Sequence, residues 1–432
     1  MTIHVVQPEE NIYYIADKYD MLVEKLIRDN DLAYPYDLVA GQTVVIAKPV
    51  QTHTVQEGDT LESIAKTYGI TVMQLLRNNP FLTGREYIYP GETLAIRYDT
   101  KRDIITNGYT YPYINSDVLK KTLPNLTYLT IFNYSVVKEG EMIAYEDESK
   151  LIQLSLEYGT IPLMLTTTLS ASGEPNIEIG YDIMLNEEYQ ERHIKNTLNI
   201  LKNKGYHGIN MVFNYMNVSN QKLYRSFITK ISKVLREEGY LFFITINEAF
   251  RITENGVDYD KVDYTGIDQE VDGIIILHFA WGTNTEAPAP VISNNHISEF
   301  IKYLLTFIPP DKLSVGIPVI GYEWELPYVI GRSRANSMTI GSSISLAHDV
   351  SADILFDDVS QTPYFNYLRY SFGNPSQYRV WFLDARTINA DLQLVDTYHL
   401  GGIGIWNIMV YYAQMWLIIN SQYDTKKLLP VI

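Results

Sequence analysis

Residues 208–213 read GINMVF, residues 221–238 read QKLYRSFITKISKVLREE, and residues 240–246 read YLFFITI. The first and last are short apolar runs of strand length. Between them Leu223, Phe227, Ile231, Val234 and Leu235 fall on one helical face, and Gly239 closes the helix. Strand, helix and strand in that order make a βαβ unit, the building block of a parallel sheet.

The same alternation runs through residues 100–432. The other strand candidates are Ile104–Tyr109, Leu126–Phe132, Ile161–Thr167, Val271–Phe279, Leu313–Val319 and Gly402–Trp406. A further helix runs through Ile297, Phe300, Ile301 and Leu304. Eight strand–helix units predict an α/β fold, a (β/α)8 TIM barrel, which needs roughly 250 residues plus insertions. The excess falls at about residues 321–380, between the seventh and eighth strands, where a small inserted α+β subdomain is expected on the barrel rim. Working residues of this fold sit at the C-terminal ends of strands. Those ends carry Tyr109, Trp281, Tyr322, Trp324 and Trp406, whose flat faces suit the C–H faces of pyranose rings.

Ahead of the barrel stands one short unit written twice. His4-Val5-Val6-Gln7 matches His53-Thr54-Val55-Gln56, and Ile12, Ile15, Ala16 and Tyr19 match Leu61, Ile64, Ala65 and Tyr68. Leu26-Ile27-Arg28-Asp29-Asn30 matches Leu75-Leu76-Arg77-Asn78-Asn79, and Gly41-Gln42-Thr43-Val44 matches Gly91-Glu92-Thr93-Leu94. In the second copy Asp59 is expected to cap the first helix with Glu62 reaching back, and Thr71 with Gln74 to repeat the device. Gly69 ends the first helix and Pro90-Gly91 turns the chain into a closing strand. Each unit reads βααβ, with domains expected at 2–48, 51–98 and 101–432.

Bulk properties narrow the partners. A net charge of −17 over 432 residues disfavours nucleic acid, which needs clustered Lys and Arg. Without cysteine there are no thiolate nucleophiles and no cysteine metal sites. The eight histidines show no metal-binding spacing, so neither metal nor cofactor is expected. Met1-Thr2-Ile3-His4-Val5 carries no basic stretch before an apolar run, so no signal peptide is expected. No apolar stretch of about 18 residues predicts membrane insertion.

The repeated unit resembles the LysM module. The resemblance implies binding of N-acetylglucosamine-containing glycan, peptidoglycan or chitin. The groove lies between two loops, here Gly58, Asp59, Thr60 and Leu61, and Asn79 with Ile88, Tyr89, Pro90 and Gly91. The first copy departs from the pattern, with Pro8-Glu9-Glu10-Asn11 in place of the Gly-Asp-Thr loop.

The barrel resembles family-18 glycoside hydrolases of the spore cortex-lytic branch. The likeness rests on VGIPVIGYEWELPY (315–328), FDD (356–358) with QTPYF (361–365), VWFLDAR (380–386) and GIGIW (402–406). In that family the fourth strand ends in DGxxxDxE, the Glu protonates the glycosidic oxygen, and the substrate's acetamido group attacks the anomeric carbon. The middle Asp orients the acetamido group, and a Tyr on the sixth strand holds its oxygen. Here residues 205–216 read GYHGINMVFNYM. His207 replaces the first Asp, Val212 the middle Asp and Asn214 the acid. On the sixth strand Phe279 stands for the Tyr and Ala280 for the acidic residue that usually follows.

An amide is no general acid, and losing a positioned acid costs about 10²–10⁴-fold in rate. The resemblance therefore implies a glycan-binding pseudo-glycosidase of a spore coat or cortex, made in a mother cell and deposited on the spore or cell wall. Its cleft residues would be Tyr109, Asn214, Trp281, Tyr322, Glu323 and Trp406. Two alternatives stay open: a weakly active N-acetylglucosaminidase using Glu323 or Glu248 as a displaced acid, and a structural protein of a spore outer layer. Thirty-five tyrosines give the last ample surface for packing against itself or other spore-layer proteins.

Overall fold

The computed structural model describes residues 1–85, 87–169, 176–213, 216–247, 251–253, 256–277, 283–371 and 374–429. Eight strands form the barrel: β1 (Arg102–Thr110), β2 (Tyr128–Val136), β3 (Ile161–Thr167), β4 (Gly208–Phe213), β5 (Leu241–Ile246), β6 (Gly273–Ile276), β7 (Leu313–Pro318) and β8 (Gly402–Trp406). Each pairs with the next in parallel, and β8 closes on β1 with Trp406 opposite Tyr109. This is the (β/α)8 barrel the alternation predicts. β6 begins at Gly273, two residues after the start of the expected run 271–279, of which 278 and 279 lie outside the described residues. Before it, the Asp272 carboxylate turns aside to accept from the Phe242 backbone N–H at 2.8 Å.

Inward side chains stack in layers, as period-two strands require. At the N-terminal end Tyr128, Ile161, Leu163 and Phe243 pack together, with Leu429 from the chain's end against them. The middle layer is polar: Asn107, Thr130, Asn210 and Thr245 hydrogen-bond one another. The upper layer is apolar and holds Tyr109, Phe132, Leu165, Val212, Leu277 and Trp406. Between β7 and β8 the insertion forms a five-stranded antiparallel sheet, with the helix Ile340–Asp349 connecting two of its strands.

Both N-terminal repeats fold as βααβ. The first has strands Thr2–Val5 and Thr43–Ile46 around helices Ile12–Lys18 and Val23–Asp29; the second has Gln51–Thr54 and Thr93–Arg97 around Leu61–Tyr68 and Val72–Asn78. The first-helix cap differs from the expected one. Thr60 is the N-cap and Ser63 completes the capping box. Asp59 instead accepts from His53 Nε2 at 2.8 Å and the Gln56 backbone N–H at 2.7 Å, while the Tyr68 hydroxyl donates to His53 Nδ1 at 3.0 Å. The first copy repeats this latch with His4, Glu10 and Tyr19 at 2.8 and 3.2 Å. The Gln7 and Gln56 backbone donors hold the Glu10 and Asp59 carboxyls below their ordinary range. Thr71 caps the next helix as expected, but the Gln74 side chain donates to Asp424 of the barrel unit.

The modules are fastened to the barrel's last helix, Ala413–Gln422. Gln414 exchanges two hydrogen bonds with Thr43, at 3.1 and 2.7 Å. Asn420 donates to the Arg77 carbonyl at 3.1 Å, and the nearly buried Arg77 pairs with Asp424 at 2.6 Å. Val39 and Val45 of the first module belong to the main core cluster. Among the described residues no helix is long and apolar enough to cross a membrane.

One buried acid has a readable cost. Asp391, on the helix Ala385–Thr397, is fully buried; Asn294 donates to one carboxyl oxygen at 3.3 Å and the other has no partner among the described residues. Burial pushes its carboxyl up to about 8. The protonated form is therefore the native one. Its contribution is present in full below the unfolded value of about 4 and is lost as pH rises through about 8. We predict that stability falls between those pH values at a slope approaching 1.4 kcal/mol per unit from this group. Asp391→Asn should remove most of that slope in denaturation midpoints measured from pH 5 to 8; an unchanged slope would contradict it.

Candidate functional site: the barrel mouth and the module loops

On β4 the inward positions include Asn210 and Val212. The Asn210 amide donates to the Tyr109 hydroxyl at 3.0 Å and its carbonyl accepts from Thr245 at 2.8 Å. Tyr109 and Thr245 are themselves 2.6 Å apart, so the polar layer closes on itself. Burial holds the Tyr109 phenol well above its usual range. Val212 is 2% exposed and belongs to the cluster with Tyr109, Phe132, Leu165, Leu277 and Trp406. Among the described residues, a carboxylate there would stand beside apolar side chains. His207 lies just before β4, about 16 Å of extended strand from Val212. It is half-buried, and burial lowers its imidazole pKa. It belongs to the strand entrance, not the mouth.

The predicted aromatic platforms separate into two kinds. Tyr109 is fully buried and Trp406 is 4% exposed, so both floor the mouth; Tyr109 is corrected from sugar platform to core. Tyr322 and Trp324 are also buried, and Trp324 Nε1 donates to the Glu286 carbonyl at 3.0 Å. The exposed rings were missed. Tyr111 packs on Trp406 with centroids 6.0 Å apart and stacks on Tyr113 at 5.4 Å, while Tyr145 stands edge-on to Phe132 at 6.3 Å. Tyr113 and Tyr145 are exposed at this end of β1 and β2. The alternation of YTYPY at 109–113 carried that signal: Tyr109 is inward and Tyr113 has run past the strand end.

Glu323 is not a free acid. Its carboxylate accepts from the Tyr367 hydroxyl, from Arg369 Nη2 at 3.0 Å and from Asn336 Nδ2 at 2.9 Å, and it is 6% exposed. Arg369 lies 4.4 Å above the Tyr378 ring, so the group is a packed cluster of the inserted sheet. Its suggested roles as displaced acid and as sugar contact both give way to this structural one. Asn214, Glu248, Phe279, Ala280 and Trp281 lie outside the described residues.

The two modules present the same loops differently. In the second, Gly58, Thr60, Tyr89, Pro90 and Gly91 are exposed, and Asp59, Leu61 and Ile88 half-buried. The Asn79 side chain is committed inside the module: its amide donates to the Leu75 and Ala95 carbonyls and its oxygen accepts from the Ala95 N–H. In the first module the segment equivalent to Tyr89-Pro90-Gly91 is Val39-Ala40-Gly41, and it faces the barrel unit. The Ile354 N–H donates to the Ala40 carbonyl at 2.9 Å, and Arg386 donates to Gly41 at 3.1 Å. A Cβ on Gly41 would sit 1.8 Å from the Ile354 carbonyl oxygen, so only glycine permits this docking. Glu9 takes the place of Gly58 with φ +70°, a conformation costly for a residue with a Cβ.

Residues 106–409 match glycosyl hydrolases family 18. The chain belongs to that family. Residues 4–47 and 53–97 match the LysM domain. The chain is 28% identical over 435 residues to the cortical fragment-lytic enzyme of Bacillus subtilis (strain 168), covering 99% of each. The crystal structure of the Bacillus cereus spore cortex-lytic enzyme SleL superposes with a TM-score of 0.78, at 25% identity and 99% coverage of both chains. That of the Bacillus megaterium QM B1551 enzyme SleL gives 0.78 and 25%, with 98% of each chain covered. The barrel is thus a family-18 barrel, preceded by two LysM domains as in the sequence reading.

The upper layer makes Val212 testable by itself. Val212→Asp places an acid among the apolar side chains of that layer, a change expected to cost roughly 3 kcal/mol. Denaturant midpoints at pH 7 should show it. An unaltered midpoint would mean that the layer is wet and the position still suited to a carboxylate.

Proposed function

We propose that this protein binds N-acetylglucosamine-containing glycan of the peptidoglycan or chitin type and does not cleave it. The observation that carries the proposal is Val212, closed into an apolar layer at the position where the family resemblance puts the aspartate that orients the acetamido group. In the family's mechanism that aspartate, the glutamic acid two residues on and a sixth-strand tyrosine act as one unit. This sequence has Val212, Asn214 and Phe279 at the three places. The engagement of Glu323 by three donors argues against a displaced acid there, because a general acid must reach the leaving oxygen.

What the site retains suits recognition. Trp406 floors the mouth, Tyr113 and Tyr145 offer exposed rings beside it, and Asn214 can both donate and accept hydrogen bonds. The second LysM domain keeps the loops that would bound its groove exposed, with Tyr87 and Tyr89 69% and 59% exposed. The relatives' cortex-lytic names support a place on the spore; deposition there from the mother cell, with peptidoglycan as the natural polymer, belongs to the same proposal.

Purified protein incubated with cortex fragments should release no new reducing ends. Release within about a hundredfold of an active relative would overturn the proposal, since removal of the acid alone should leave less. Asn214→Glu should not restore cleavage by itself, whereas Val212→Asp, Asn214→Glu and Phe279→Tyr together should do better, because residues acting as a unit are non-additive. Full rescue by the single change would show the rest of the machinery intact.

Capture on insoluble glycan should depend chiefly on the second module. Removing residues 1–49 is a poor test, since it would bare the apolar ground beneath Val39 and Val45. Tyr87→Ala with Tyr89→Ala leaves the docking intact and should weaken capture at least about tenfold, since polymeric glycan amplifies a tethered site through avidity. Capture equal to that of the unaltered protein would move the main site to the barrel mouth.

A further inference from the structure

A cavity of about 670 Å³ lies where the first LysM domain, the insertion and the barrel meet. Its walls include Tyr34 and Asp37 from the first module, Met338 and Ser345 from the insertion, and Met409 and Tyr411 from the segment after β8. Val319, just past β7, and Asn407, one residue past Trp406, also line it, so it borders the C-terminal rim of the barrel. The volume lies within the range of small-molecule sites, roughly 300–1,000 Å³. We propose that this cavity is a second glycan site, which takes an uncharged amino-sugar oligomer between the first module and the barrel rim. The proposal rests on the glycan-binding reading above and assigns the first module a part in it.

Three observations carry it. First, the void persists between firmly docked units. Gln414 with Thr43 and Ile354 with Ala40 fasten the interface beside it, and Asp37 reaches to 3.9 Å from His348, yet space remains between the loop Leu32–Asp37 and the insertion. Unfilled space of this size forfeits dispersion contacts that closer docking would recover. Second, the lining is amphipathic in the manner of a sugar. Tyr34, 84% exposed and set edge-on to Tyr36 at 5.6 Å, offers a ring face, with thioethers and hydroxyl or amide side chains around the same space. Third, the charge is one-sided. Asp31, Asp37 and Asp349 line the cavity, no Lys or Arg among the described residues does, and His348 lies 3.9 Å from Asp37. An oligomer bearing carboxylates is repelled, in line with the net charge of −17. An uncharged N-acetylhexosamine chain is not.

Calorimetric titration of the full-length protein with tetra-N-acetylchitotetraose tests this. Ser345→Trp fills the cavity from an exposed helical position, and Tyr34→Ala removes its most exposed ring without touching the core. Each should titrate with one site fewer than the unaltered protein, or with that site weakened at least tenfold, while Tyr87→Ala/Tyr89→Ala should leave it in place. If both cavity variants titrate like the unaltered protein, and the Tyr87/Tyr89 variant alone loses binding, the cavity site is wrong and the glycan-binding reading stands. If no variant and not even the unaltered protein binds the oligomer, both fall.

Discussion

Every second side chain of a closed eight-stranded barrel has to share one narrow interior, and that constraint governs the structure. At Val212 the same side chain must satisfy packing and chemistry together. An aspartate there would need water or a cation beside it, and both would open the layer formed by Tyr109, Phe132, Leu277 and Trp406. With valine the layer closes like ordinary core. One turn of the alternation deeper, Asn210 keeps its polar character because Tyr109 and Thr245 satisfy it. The polar middle layer and the apolar upper layer thus meet within one strand, between Asn210 and Val212.

A second constraint acts between modules. Helix Ala413–Gln422 serves both the barrel and the N-terminal pair, so the LysM domains are fixtures of one body. Arg28 of the first module lies 4.0 Å above Phe81 of the second, which joins the pair to each other as well. Once the Val39–Gly41 segment is docked, the first module's loop faces inward and the second module's faces out. Two copies of one sequence motif thereby turn the same loop in different directions.

Much of this was legible in the sequence. Short apolar runs located the barrel strands and the 3.6-residue period the helices between them, and the spacing of His4, Tyr19, His53 and Tyr68 marked the repeat. What the repeat concealed was the bonding between those residues: the carboxylate of each latch sits at Glu10 or Asp59, where local rules suggest a helix cap. Glu323 misled for a different reason. Its three donors come from Asn336, Tyr367 and Arg369, which pairing within the inserted sheet brings together, and no local pattern reports that. Tyr109 looked like a platform because its strand ends there; only closure of the barrel shows that its ring points to the floor. The junction cavity had no sequence signature, because its walls come from three separately folded units.

The central claim is that glycan held by this protein stays whole. The most direct measurement is the length of the bound chain: the full-length protein is held overnight with a defined N-acetylglucosamine oligomer, the complex is recovered, and the bound sugar is weighed by mass spectrometry. The account predicts an oligomer of unchanged mass on the protein. Shortened chains bound to it or released beside it, from a preparation free of other hydrolases, would contradict it.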